Sequence, residues 1–181
     1  MSWYALFVEN GKEDVVQKYL RLYFDEHSLY SIVPKRKVPE KKEGQVYHVL
    51  KKMFPGYVLI KTSMNADIFY RIKEIPGCYR IVNNGSYYSK DNGTYYSTIT
   101  EEEIAPILQL IGNGEVVDYS KIHLENSMVF VKSGPLQGME GIIKKVDKHK
   151  KRAKILLNLF GIERTIDVGI EILTHGSGAR T

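Results

Sequence analysis

A single cysteine, Cys78, stands in the whole chain, so no internal disulfide can form and no Cys-x-x-Cys pair is available to hold zinc. A lone thiol among apolar neighbours is expected to be inert core. The five histidines (His27, His48, His123, His149 and His175) are scattered and never fall at a ligating spacing such as H-x-x-x-H, so no metal is expected. No glycine-rich phosphate loop followed by Lys-Ser/Thr occurs, and no G-x-S-x-G elbow. With no nucleophile and no metal ligands, the chain is expected not to be an enzyme and to need no cofactor. No apolar run approaches the roughly 20 residues that cross a bilayer. The segment MSWYALFVENGKED lacks the basic region of a secretory signal, which predicts a cytoplasmic protein without membrane contact. A monomer is expected.

What is present is the composition of a soluble globular protein, 43% hydrophobic and 26% charged, in a chain of 181 residues that has room for two small domains. The net charge of +5 is unevenly spread. From Lys121 onward there are 11 Lys+Arg against 6 Asp+Glu, whereas residues 1–112 carry 15 against 13. The C-terminal part is therefore the more basic per residue, which suits an acidic partner.

Ser2 to Val8 is apolar on both alternating faces and predicts a strand covered on both sides. Asn10-Gly11 makes a turn into an amphipathic helix over 12–26, with Val16, Tyr19, Leu20 and Tyr23 as its apolar face. Leu29 to Val33 predicts a second strand. A polar excursion, Lys35 to Lys52, resembles two β-arms around a Glu-Gly turn. Val58 to Lys61 predicts a strand, and Asn65 caps a helix to Glu74 that Pro76-Gly77 ends. Tyr79 to Val82 predicts another strand, followed by an Asn/Gly/Ser/Tyr loop to Ser97. Thr100 and Glu103 form a capping box for a helix to Ile111, with Pro106 inside it. A linker over 113–123 follows. Beyond Leu124 the helical period vanishes, and five short strands (128–131, 141–147, 152–158, 164–168 and 170–173) with glycines at their corners predict a small β-barrel. The tail 176–181 is expected to be disordered.

Two segments carry a family likeness. Trp3-Tyr4, followed some fifty residues later by Phe54-Pro55-Gly56-Tyr57-Val58, resembles the W-Y…F-P-G-Y pattern of the NusG N-terminal (NGN) domain. The run from Val131 through Gly134-Pro135-Leu136, Gly138 and Gly141 to Ile143 resembles the KOW motif. The pair in this order resembles the NusG family of transcription elongation factors. Short linker and basic barrel make the chain most similar to the LoaP subgroup, specialised paralogues associated with antitermination. The resemblance implies an α+β chain: an N-terminal α/β sandwich (an antiparallel sheet with flanking helices) over 1–112, and a five-stranded SH3-like KOW β-barrel over 124–175.

It also implies partners. RNA polymerase would be held by the first domain through Tyr4, Phe54, Pro55, Gly56 and Tyr57, with Phe69 and Ile72 as neighbours by helical spacing. Aromatic anchors give large contact area at low entropic cost, although Trp3 and Phe54 also suit a core. An RNA hairpin would be held by cations: Lys35, Arg36, Lys37, Lys41, Lys42, Lys51 and Lys52 around the excursion, and Lys73 and Arg80, which flank the loop after the second helix and could extend the basic face of the first helix. A denser cluster follows, Lys144, Lys145, Lys148, Lys150, Lys151 and Arg152, with Lys154 and His149, against the single acid Asp147. Such a projecting tip can neutralise several phosphates; the alternative is a charged turn kept for solubility. Tyr87, Tyr88, Tyr95 and Tyr96 could stack on bases or pack a hairpin. The loop tip Leu159-Phe160-Gly161 is where a ribosomal protein or termination factor would bind in a general housekeeping NusG, the second reading. A ribosome-associated KOW protein is the third.

Overall fold

The structure is a computed structural model, and it describes residues 1–83, 88–89 and 94–174. The chain forms two compact units, Met1–Val33 with Phe54–Ile104, and Pro34–Met53 with the chain from Ala105 onward.

The first unit is an antiparallel sheet with helices. Its elements are β1 (Ser2–Val8), α1 (Glu13–Tyr23), β2 (Leu29–Ile32), and, after the excursion of β3 (Lys35–Lys42) and β4 (Gln45–Lys52), β5 (Tyr57–Thr62), α2 (Ala66–Lys73) and β6 (Cys78–Ile81). The sheet order is β2-β5-β1-β6, which places β1 in the interior, as its two apolar faces require. Tyr4, Leu6 and Val8 face a core with Val16 and Leu20 of α1 and Ile68, Phe69 and Ile72 of α2. Truncating a side chain such as Leu6 in that core would cost about 2–5 kcal/mol. Helix α2 starts as expected: Asn65 Oδ1 accepts from the Ile68 N–H at 2.9 Å, a cap worth about 1 kcal/mol.

Helix α1 ends earlier than the sequence pattern predicts and buries another face. Asp25 stops it by accepting from the backbone N–H groups of His27 and Ser28. Glu13, Val16, Gln17 and Leu20 are buried, whereas Tyr23 is 51% exposed. Two polar residues take the inner face because both are bonded there, Gln17 Nε2 donating to the Ser31 carbonyl at 3.2 Å and Glu13 accepting from backbone N–H groups.

The loop after β6 contributes a short backbone pairing, β7 (Tyr88–Ser89) with β8 (Thr94–Tyr95). Tyr87 lies outside the described residues, as do His175 and the tail. Helix α3 (Glu101–Ile111) begins at the predicted box, the Glu103 N–H donating to Thr100 Oγ1 at 3.3 Å, and it continues through Pro106.

The second unit holds β3 and β4, β9 (Val116–Val117), β10 (Ser120–Glu125), β11 (Met128–Ser133), a 3-10 turn at Glu140–Ile142, β12 (Ile143–Asp147), β13 (Arg152–Leu159) and β14 (Ile162–Ile172). The last five strands form one sheet, β11-β10-β14-β13-β12. The first eight residues of β14 pair antiparallel with β13 and its last three pair parallel with β10, so this one strand carries the sheet around. The fold is the expected one, reached by different boundaries. The strand Ser120–Glu125 begins inside what the pattern marks as linker, Gly141 sits in the 3-10 turn, and the two expected last strands are one, running through Gly169. Gly134, at φ 100°, explains the KOW glycine: a Cβ there would lie 2.6 Å from Ser120 Cα.

The excursion is the predicted β-hairpin, β3 against β4 from Lys35↔Lys52 to Lys42↔Gln45. Glu43 and Gly44 both take positive φ, as a two-residue turn of this hand requires. The hairpin packs on β14 within the second unit.

Cys78 is half-buried, and burial pushes its thiol up to about 11. Only about a thousandth of it is thiolate at pH 8. Alkylation of the native protein should therefore be far slower than that of the unfolded chain and rise about tenfold per pH unit up to pH 10. Equal rates in native and urea-unfolded protein at pH 8 would contradict this burial.

Candidate nucleic-acid and partner interfaces

In the first unit the F-P-G-Y turn is tied to α1. Gly56, at φ 87°, donates its N–H to Glu13 Oε1 at 2.8 Å, and its carbonyl accepts from the Val8 N–H at 2.8 Å. The same Glu13 oxygen accepts from the Gly11 N–H at 3.2 Å. A fully buried carboxyl group thus fixes two turns at once, its Oε1 accepting from both backbone N–H groups. The signal for Glu13 lay in the spacing Glu13, Val16, Gln17, Leu20, which is helical but not apolar.

The residues expected to anchor a partner divide sharply. Tyr4, Phe54, Phe69 and Ile72 are buried, 6% exposed or less, as is Trp3. Tyr4 meets Tyr96 edge-on at 5.7 Å between ring centroids, and Phe69 packs on Tyr96 at 6.4 Å. Gly56 is buried, Pro55 is exposed and Tyr57 is half-exposed. The accessible aromatics form a row across β5, β1 and β6. Phe7 lies 5.7 Å from Tyr57 and 5.5 Å from Tyr79, and the Arg80 guanidinium sits 5.6 Å over the Phe7 ring. Tyr79 is 59% exposed. Phe7 and Tyr79 were absent from the expected anchors, though the alternation of β1 puts Phe7 on the Trp3 face. Lys73 and Arg80, expected among the RNA-binding cations, belong to this unit and lie over the rings of Phe69 and Phe7.

In the second unit the cations are of two kinds. Lys41 and Lys42, at the hairpin turn, are exposed, and so are Lys144, Lys145, Lys148, Lys150 and Lys151. Asp147 is occupied by its own turn, accepting from the Lys150 N–H at 2.8 Å; that bond holds its carboxyl below the usual range. The other kind holds hairpin to barrel. Arg36 Nη1 donates to the Asp167 carbonyl at 2.6 Å, and Arg152 donates through Nε and Nη2 to the Pro39 carbonyl at 3.2 and 2.7 Å. Burial pulls the Arg36 guanidinium below its ordinary range; Asp167 opposes that shift and Arg152 adds to it. Lys35, Lys37, Lys51 and Lys52 are half-buried, with Lys51 paired to Glu40 at 3.2 Å and Lys37 3.9 Å from Asp118.

Tyr119 completes the docking. Its hydroxyl is hydrogen-bonded to His48 Nδ1 of β4, Lys37 lies 5.9 Å from its ring centroid, and burial together with Asp118 raises its phenol above the usual range. The Cδ1–Cε1 edge of the ring lies against Gly169, where a Cβ would come 1.7 Å from Tyr119 Cε1, 2.1 Å from Cδ1 and 2.6 Å from the Lys37 carbonyl oxygen. Only a glycine admits both neighbours. At the β13–β14 turn, Leu159 is buried, Phe160 (φ 53°) is half-buried, Gly161 is exposed and Ile162 is 58% exposed. The apolar surface at this tip is therefore Ile162 and the half-buried Phe160, while Leu159 lies in the core.

Among the described residues no helix is long and apolar enough to cross a membrane, and no group of three or more His, Cys, Asp or Glu side chains is placed to hold a metal ion.

Comparison with known proteins gives these arrangements a family. A family model described as transcription termination factor NusG matches residues 1–108, and a KOW motif model matches residues 125–157. Proteins named transcription termination/antitermination protein NusG, from Staphylococcus aureus strains Mu50 and N315, are each 28% identical over 173 residues, spanning 92% of this chain and 91% of the relative. A solved structure concerned with domain interaction in Thermotoga maritima NusG shares the fold, with a TM-score of 0.56 and 22% identity over 93% of both chains. The chain belongs to the NusG family of transcription termination/antitermination factors.

Proposed function

We propose that this chain is a specialised antitermination factor of the LoaP type: it holds RNA polymerase through its N-terminal domain and is recruited by an RNA hairpin in the nascent transcript. Its domains would be an NGN domain over 1–112 and a KOW barrel over 124–175, joined by 113–123. Family membership supports the transcription role and an action by binding alone. The observation that carries the RNA reading is the turn between β12 and β13, where exposed Lys148, Lys150 and Lys151 project and the only acid of the segment is bonded to the turn's own backbone. The row Tyr57, Phe7, Tyr79 with Arg80 supports the polymerase reading, since aromatic rings beside an arginine are the usual anchors of protein interfaces. One chain that carries both surfaces raises the effective concentration of each ligand for the other.

A second reading, a general NusG whose barrel meets a ribosomal protein or termination factor, is favoured by one observation, the exposed Ile162 beside Phe160. A selection of the purified protein against a pool of RNA hairpins at near-physiological salt, with duplex DNA as competitor, separates the two. Enrichment of one hairpin family is expected; weak, salt-sensitive binding without enrichment would overturn recruitment by RNA.

For the polymerase surface, Tyr79→Ser combined with Arg80→Glu removes exposed groups that touch the Phe7 ring, and should leave the protein folded with a stability loss of about 1–2 kcal/mol. Retention on immobilised core RNA polymerase should fall about tenfold or more, the loss expected when an anchor worth about 1.4 kcal/mol or more is removed. Undiminished retention would exclude this face.

A further inference from the structure

Docking of the hairpin on the barrel creates a cleft of about 540 Å³ between the hairpin turn and the turn joining β12 to β13. Lys41 and Gly44 line one wall, and His149, Lys150, Lys151 and Arg152 the other. Lys41, Lys150 and Lys151 are all exposed, and the one acid in the lining, Glu40, is offset by Lys51 at 3.2 Å. Lys150 and Arg152 also line a second, smaller cavity of about 210 Å³ with Lys145, Lys154, Asp147 and Asp167, so cations continue along β12 and β13, while Asp147 is held by the Lys150 N–H and Asp167 lies 4.0 Å from Arg152. Arg152 is placed differently from the lysines, because its guanidinium is committed to the Pro39 carbonyl and lies 4.0 Å from Asp167.

We propose that this cleft clamps the sugar-phosphate backbone of the recruiting RNA, with Lys41 on one side and Lys150 and Lys151 on the other, and that it exists only while the hairpin is docked. The inference rests on the RNA reading above and adds to it that neither turn suffices alone. Arg36, Arg152, Tyr119 and Gly169 are then positioning residues: they touch no phosphate but hold the two cationic walls together. Backbone contacts of this kind supply affinity and register, while base choice is made elsewhere. Charge count decides the salt dependence, and wall geometry decides whether the charges act on one strand together.

The test is fluorescence anisotropy of full-length protein with a labelled RNA stem-loop of about ten base pairs, and the DNA stem-loop of the same sequence, over a salt series. Lys41→Gln, on the hairpin, should weaken RNA binding about as much as Lys150→Gln, on the barrel. Each should reduce the slope of log affinity against log salt by about 0.7–0.9. Lys148→Gln, on the same turn but outside the cleft lining, should do clearly less. Gly169→Ala keeps every charge yet drives the Tyr119 ring from its seat, and should weaken RNA binding about tenfold or more. Should that variant fail to fold, Lys41→Glu, an exposed change, carries the same prediction. Full RNA affinity in Lys41→Glu, or in folded Gly169→Ala, overturns the cleft while leaving the RNA reading intact. Wild-type protein that ignores the RNA probe, or holds the DNA stem-loop equally well, overturns the RNA reading and the cleft with it.

Discussion

At Gly169 a missing side chain decides the arrangement of the second unit. The Tyr119 ring and the Lys37 carbonyl both occupy space that any Cβ would need. Because they can enter, the hairpin backbone reaches β14, and Arg36 and Arg152 find carbonyl acceptors across the junction. The cost is visible too. Arg36 has a buried Nε with no hydrogen-bond partner among the described residues, and two guanidiniums share the neighbourhood of one carboxylate, Asp167. Such a junction holds only if its packing and its hydrogen bonds form together, which makes it a natural all-or-none contact.

The same docking changes what the basic residues of the hairpin are for. Counted along the sequence they form a single cluster of cations around a turn, equivalent to one another. In the folded unit they separate into residues that hold the hairpin in place, Arg36 foremost, and residues left at the turn, Lys41 and Lys42, exposed to whatever the protein meets. Arg152 undergoes the same reassignment on the barrel side. In the first unit the aromatic motif divides in a parallel way. Phe54 builds the core, Gly56 serves Glu13, and only Pro55 and Tyr57 remain at the surface beside Phe7 and Tyr79.

Much of the architecture was legible because it rests on local signals. Asn65 and the Thr100/Glu103 box mark helix starts, the Glu43-Gly44 turn sets the hairpin register, and the alternation of β13 announces a half-buried strand. What escaped depends on distant partners. A helix that buries Glu13 and Gln17 looks wrong by hydropathy until Gly56 and Ser31 are placed beside it. Gly169 has the look of a strand break, and the ring that fills its gap lies fifty residues earlier. Burial of Tyr4, Phe69 and Ile72 could not be told from exposure by motif alone, since apolar anchors and apolar core draw on the same residue types.

The central claim is that hairpin and barrel form one body through the seat at Gly169. The most direct test is the NMR spectrum of the full-length protein in solution, read at the Gly169 α-protons. A Tyr119 ring against them should move at least one α-proton away from its random-coil position and give nuclear Overhauser contacts to the ring protons. Random-coil shifts at Gly169 without those contacts would contradict the account.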